Sequence, residues 1–208
     1  MKNLLYILCV GMILSGAYSC KKGENDPFLS LSSRKARLTG EWKLSSENST
    51  RTNTNSTGTS TTVRTFDGTT SSYSYTSASG ITSTSTMNED ITFEKDGTFT
   101  FVRTETQDGE TYTMTGTGNW AFIGKSKTAE LKNKEAISLS FTKFTDSDGY
   151  FEEYAGTHLN YSSLIIEQLK SKEIVFSFDD AGTSVNTSPS GAWNNSWTGK
   201  GTTTYTKK

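Results

Sequence analysis

The sequence predicts an all-β, antiparallel protein of the meander type, and three observations carry that prediction. From Thr39 onward, apolar residues alternate with polar ones at a period of two, the mark of strands with one buried face. Asp-Gly pairs break the alternation at Asp67-Gly68, Asp96-Gly97 and Asp108-Gly109, where tight hairpin turns require them. Two prolines against 18 glycines, with abundant serine and threonine, speak against a helical protein.

The chain opens on a different pattern. Met1-Lys2-Asn3 is a short positive start, Leu4 to Leu14 is an uncharged apolar run, and Ser15, Gly16, Ala17 and Ser19 are small residues leading to Cys20. This is the layout of a secretory signal peptide over residues 1–19. A transmembrane anchor competes with it, but the run falls short of the roughly 20 apolar residues that a spanning helix needs. Cleavage after Ser19 removes Cys9 and leaves Cys20 as the sole cysteine, so no internal disulfide can form. A lone exported thiol at a new N-terminus makes chemical sense when it is acylated; the competing reading is an ordinary N-terminal thiol.

After cleavage, 189 residues remain, enough for one domain with a real core. Removing Lys2 leaves 20 basic side chains against 22 acidic ones. No clustered basic face points to a nucleic-acid partner. Residues 20–33 read as a polar, extended tether with Pro27 near its middle, and Ser32 or Ser33 can cap a short helix through Leu38. The remaining domain is expected over residues 34–208.

Its strands follow in order. Trp42 and Leu44 share one face; Ile91 and Phe93 lead through Lys95-Asp96-Gly97 to Phe99 and Phe101; a second turn falls at Gln107 to Glu110. Tyr112, Met114, Gly116, Gly118, Trp120 and Phe122 then line one face of a long strand. Two glycines within it indicate a bend or a close backbone approach, as strong curvature requires. Ile137, Leu139 and Phe141 make another strand, ended by Asp146 to Gly149. Leu164–Leu169 and Glu173–Phe178 flank Lys170-Ser171-Lys172 as a further hairpin, with helix as the competing reading of the first. Gly201 to Tyr205 can close the sheet.

Residues 45–88 are nearly all Ser, Thr, Asn and Gly, relieved by Val63, Phe66, Tyr73, Tyr75, Ile81 and Met87. A disordered insert is one reading. The favoured one is a threonine-rich hairpin around Asp67-Gly68 with Val63 facing Tyr73 or Tyr75, because Thr and Tyr suit strands and a structureless loop of ~40 residues is uncommon.

Several of these stretches resemble the lipocalin-like lipoproteins of Bacteroidetes: Leu38 to Leu44, Ile91 to Phe99, Gly118-Asn119-Trp120 and Leu169 to Val175. The likeness covers roughly residues 38–205. Ala17-Tyr18-Ser19-Cys20 likewise resembles the bacterial lipobox, and the acidic residues after it resemble a surface-export signal of that group. The resemblance implies a meander-type, lipocalin-like β-barrel, lipid on the Cys20 thiol, and an outer-membrane location, periplasmic or surface-exposed. It also implies that Trp42 closes one end of the barrel beneath a basic residue from near the last strand, Lys200 or Lys207. The Ser/Thr-rich insert departs from the family pattern.

Chemistry is sparse. His158 is the only histidine, with no cysteine partner after cleavage, so Cys/His catalysis and His/Cys metal sites lack their groups. Asp146-x-Asp148-Gly149 resembles a fragment of a calcium loop, with Glu152-Glu153 nearby, but a turn explains Asp and Gly there equally. No catalytic residue, cofactor or metal is therefore expected. Aromatic residues are the better clue. Met114, Trp120, Phe99 and Phe101 either line an apolar cavity or fill a core. Trp193 and Trp197, among asparagines, serines and glycines, either stack on a sugar or else cap the barrel or pack into a strand. The expected function is binding of a small apolar or amphipathic ligand without catalysis; the alternative is a surface module for glycan or protein with a filled barrel.

Overall fold

The computed structural model describes residues 32–56, 58–76, 81–123, 134–153, 160–188 and 191–208, with the backbone alone for 81–82, 160–161, 185–188 and 191–194. One short helix, α1 (Arg34–Leu38), precedes eleven strands: β1 (Gly40–Asn55), β2 (Gly58–Phe66), β3 (Thr70–Thr76), β4 (Ile81–Phe93), β5 (Thr98–Gln107), β6 (Glu110–Ile123), β7 (Glu135–Asp146), β8 (Phe151–Glu153), β9 (Asn160–Leu169), β10 (Glu173–Ser188) and β11 (Gly191–Lys207). Every pairing is antiparallel. Ten strands close into a meander barrel through β6–β7, and β8 adds to β7 alone.

Local chemistry sets each turn. In α1 the Ser33 hydroxyl oxygen accepts from the Ala36 N–H at 3.1 Å, the N-cap arrangement. Asp96 accepts from the Thr98 N–H and hydroxyl at 2.9 and 2.7 Å, fixing the β4–β5 turn. Asp108 and Gly109 have φ of 53° and 85°, the left-handed pair that a two-residue hairpin turn requires between Gln107 and Glu110. The helical alternative for residues 164–169 loses: they pair with β7 and β10.

The Ser/Thr-rich segment forms strands, and its position gives the barrel its shape. At its start, β1 pairs directly with β4, from Gly40↔Phe93 to Lys43↔Asp90. Further on, the β2–β3 hairpin enters between them: β1 pairs β2 from Glu47↔Phe66, and β3 pairs β4 from Thr70↔Thr86. The ring therefore holds eight strands at one end and ten at the other, and barrel diameter grows with strand number. Asp67 sits at the fork, where its carboxylate accepts from the Thr69 and Thr70 N–H groups at 3.0 and 2.8 Å. That turn corrects one expectation. Phe66 lies opposite Ser71, so Val63 lies opposite Ser74, while Tyr73 and Tyr75 lie opposite Arg64 and Thr62. Val63 faces outward and the two tyrosines share the inward face.

The eight-stranded end is packed solid. Trp42, Leu44, Phe93, Phe99, Ile137, Ile174 and Phe176 are almost wholly buried, with Leu38 and Leu169 beneath them. Each such side chain contributes about 1.5–3 kcal/mol by leaving water. Toward the wide end the outward face is rich in hydroxyls, with Thr52 beside Thr61 and Thr104 beside Thr113 at 3.3 and 3.5 Å. Threonine suits an exposed strand face, which accounts for the composition of the insert.

Candidate functional site

Both tryptophans of the floor are fixed from the closed end. The Trp42 indole N–H donates to the Leu38 carbonyl at 2.7 Å, and Arg37 donates to the Leu169 carbonyl at 2.8 Å, so α1 plugs the narrow end. Lys207 Nζ stands 5.0 Å from the Trp42 ring centroid and donates to the Thr39 carbonyl at 2.9 Å. Of the two lysines expected over Trp42, Lys207 takes the place; Lys200 pairs with Thr50 and Asp179 further up the wall. Trp120 lies edge-on to Phe93 and Phe122, its indole N–H donates to the Glu94 carbonyl at 3.1 Å, and Lys35 lies 5.7 Å from its ring.

Above this floor the interior turns polar. Arg103 grips the Glu89 carboxylate with two nitrogens, and the Tyr205 hydroxyl donates to the other oxygen of Glu89. Burial, then the charge of Glu89, pushes the Tyr205 phenol well above its ordinary pKa. Burial works against the Arg103 charge, but the Glu89 carboxylate outweighs it and raises the guanidinium pKa further. Higher still, Arg64 reaches across to Glu105 at 3.8 Å, and the Ser85 hydroxyl donates to the same carboxylate.

The wide end opens into a recess of about 860 Å³, bordered by Glu47, Arg51, Arg64, Tyr73, Phe178 and Trp197 among others. Its wall on β10 and β11 is built from three cross-strand rows, each with one glycine: Phe178↔Gly201, Asp180↔Gly199 and Gly182↔Trp197. In each row the partner side chain occupies the space the glycine leaves. A Cβ on Gly182 would fall on the Trp197 ring, and one on Gly199 would fall on the Asp180 carboxylate. A Cβ on Gly201 would meet the Phe178 ring and the Ser49 Cβ at 2.7 Å each. Across Gly199, Arg51 meets Asp180 at 3.5 Å. A second depression, of about 950 Å³, lies along the outer wall beside Lys134, Ile165 and Lys200.

The residues singled out by sequence are thus divided. Trp197 borders the recess. Phe99 and Trp120 belong to the packed floor, while Phe101 and Met114 are half-buried higher on β5 and β6. Trp193 pairs with Asn186 in the β10–β11 hairpin, and its side chain lies outside the described residues. Cys20, the segment 1–19, the tether as far as residue 31, and His158 also lie outside them. The calcium-loop fragment is a turn: Asp146 accepts from the Asp148 and Tyr150 N–H groups at 3.0 and 2.9 Å and from the Tyr112 hydroxyl. Among the described residues, no group of three or more His, Cys, Asp or Glu could hold a metal ion, and no helix is long and apolar enough to cross a membrane.

Sequence reasoning missed the charged interior, although a signal for it exists. Arg103 and Glu105 continue the phase of Phe99 and Phe101, and Glu89 keeps the phase of Ile91 and Phe93. Charges on the apolar phase of a strand point inward. No family model, curated protein or solved structure matches the chain.

Proposed function

We propose that the chain is an exported lipoprotein, cut after Ser19 and held in the outer membrane by lipid on Cys20, whose barrel binds a small amphipathic ligand in its wide end without catalysis. The recess carries this reading: a widened barrel end of ligand size, walled by aromatic rings, hydroxyls and paired charges. The filled floor leaves no deep apolar tube, which favours an amphipathic ligand over a purely apolar one.

The tether would lead into α1 at the narrow end, turning the recess away from the anchor. A stretch of fourteen residues can reach at most about 50 Å, at ~3.5 Å each, enough to stand the domain clear of headgroups. Two measurements test the two halves of the proposal. A Cys20→Ala variant should move to the soluble fraction; membrane retention would remove the anchor. Protein isolated from its own envelope should carry a small molecule in native mass spectrometry, and Thr62→Trp, which fills the recess from β2, should lose it. Empty protein that takes up nothing would sink the binding role.

A further inference from the structure

We infer that the glycine-backed wall of the recess is a saccharide platform, with Trp197 and Phe178 stacking on pyranose faces and the Asp180–Arg51 pair between them binding hydroxyls. This rests on the reading that the recess takes a ligand, and it names the ligand class.

Inward positions of a barrel strand ordinarily fill the interior, yet Gly182, Gly199 and Gly201 stand in three successive rows of one wall. Each lets a neighbour lie across it rather than project into the barrel, so the Trp197 and Phe178 rings are backed by main chain on one side and half-buried. Aromatic side chains laid over cross-strand glycines are held without filling the space in front of them. The rows recur at about 6.7 Å along the strands, so the two rings flank the Asp180 carboxylate in a line. A ring face with its π density meets the C–H face of a sugar, while carboxylate and guanidinium offer acceptors and donors to adjacent hydroxyls.

Charge decides between ligand classes. Arg51 is paired with Asp180 and Arg64 with Glu105, and Glu47 adds one more carboxylate lower in the recess, so the recess has no cationic excess to attract an anion. A lipid tail needs apolar depth, and below the recess lie the Arg103–Glu89–Tyr205 cluster and then the packed floor. A neutral polyhydroxyl ligand can hydrogen-bond to both ion pairs without breaking either. Ser49, Thr62 and Tyr73 add hydroxyls to the same recess.

The test titrates the mature chain with chitotriose, maltopentaose, cellopentaose and xylopentaose, and separately with palmitate, reading calorimetry and the indole N–H signals in nitrogen-correlated spectra. At least one saccharide should shift the Trp197 signal while those of Trp42 and Trp120 stay in place. Trp197→Ala should weaken that saccharide about tenfold or more, and Trp197→Phe, which keeps a ring, only about threefold. Asp180→Asn, at an exposed position, should weaken it with unchanged melting temperature, which guards against a folding artefact in the tryptophan variants. If palmitate alone shifts Trp197, the platform is overturned and the ligand-binding recess stands. If no probe shifts it, the platform is overturned as well; a recess that also carries no native cargo then falls with it.

Discussion

Lys207 in the last strand lies over the Trp42 ring of the first, 5.0 Å from its centroid, and donates to the Thr39 carbonyl between α1 and β1. One side chain thereby ties the opening and closing strands at the narrow end. Lys207→Met keeps the aliphatic stem but removes the charge, and should lower unfolding free energy by about 2 kcal/mol. Lys207→Arg should recover most of it. Urea denaturation of the two variants makes the comparison.

A close approach inside β6 gives a second expectation. At Gly118 a Cβ would collide with the Ser140 carbonyl and press on Phe99 at 2.8 Å, beside the bulge between Thr117 and Gly118. Gly118→Ala should cost about 1–3 kcal/mol through overpacking. Gly109→Asn should cost less, because a Cβ added there meets nothing within 4 Å and asparagine accepts a positive φ. Melting temperatures of both variants report the contrast.

The Tyr205 phenol is neutral in the folded barrel, with its pKa held well above 10 by burial and Glu89. Unfolded tyrosine ionises near pH 10, so this stabilisation is complete below that pH and is lost as pH rises toward the folded value. Tyr112, pushed up to about 12 by its hydrogen bond to Asp146, acts in the same direction. Denaturation midpoints should therefore fall between pH 10 and 12. Tyr205→Phe should cost about 1.5–3 kcal/mol at pH 8, because Glu89 loses a donor, and should flatten the alkaline fall.

Acid acts through the turns. Asp96 lies below the usual carboxylate range, held there first by the Thr98 hydroxyl, and Asp67 likewise by the Thr70 and Thr69 N–H groups. Their contribution is present above about pH 4 and lost as pH falls through the lowered folded values. Asp96→Ala should lower the denaturation midpoint at pH 7 and make the acid limb shallower. A limb unchanged in slope would show that this turn does not set acid stability.

Much of the barrel is legible in the sequence because hairpins are local. Asp96-Gly97 and Asp108-Gly109 set their turns from neighbouring atoms, and the alternation of Phe99, Phe101, Trp120 and Phe122 assigns the inward face without knowledge of the partner strand. Trp42 and Lys207 were also within reach, through a resemblance that pairs a first-strand tryptophan with a late basic residue. The recess was not. Trp197 stands out along the chain, but nothing in the sequence sets Gly182, Asp180 and Gly199 beside it, and β10 extends to Ser188, well beyond the apolar run that marks its start at Glu173 to Phe178.

The sequence by itself determined the class: period-two alternation, acid-glycine turns and threonine-rich outward faces admit an antiparallel β-protein and little else. Only the tertiary structure decided that the β2–β3 hairpin splits β1 from β4, so that an eight-stranded floor widens into a ten-stranded mouth. The physical reason is range. Periodicity and turn chemistry act over a few residues, whereas ring size, the stacking of Trp197 on Gly182 and the meeting of Arg51 with Asp180 across Gly199 depend on which distant strands lie side by side.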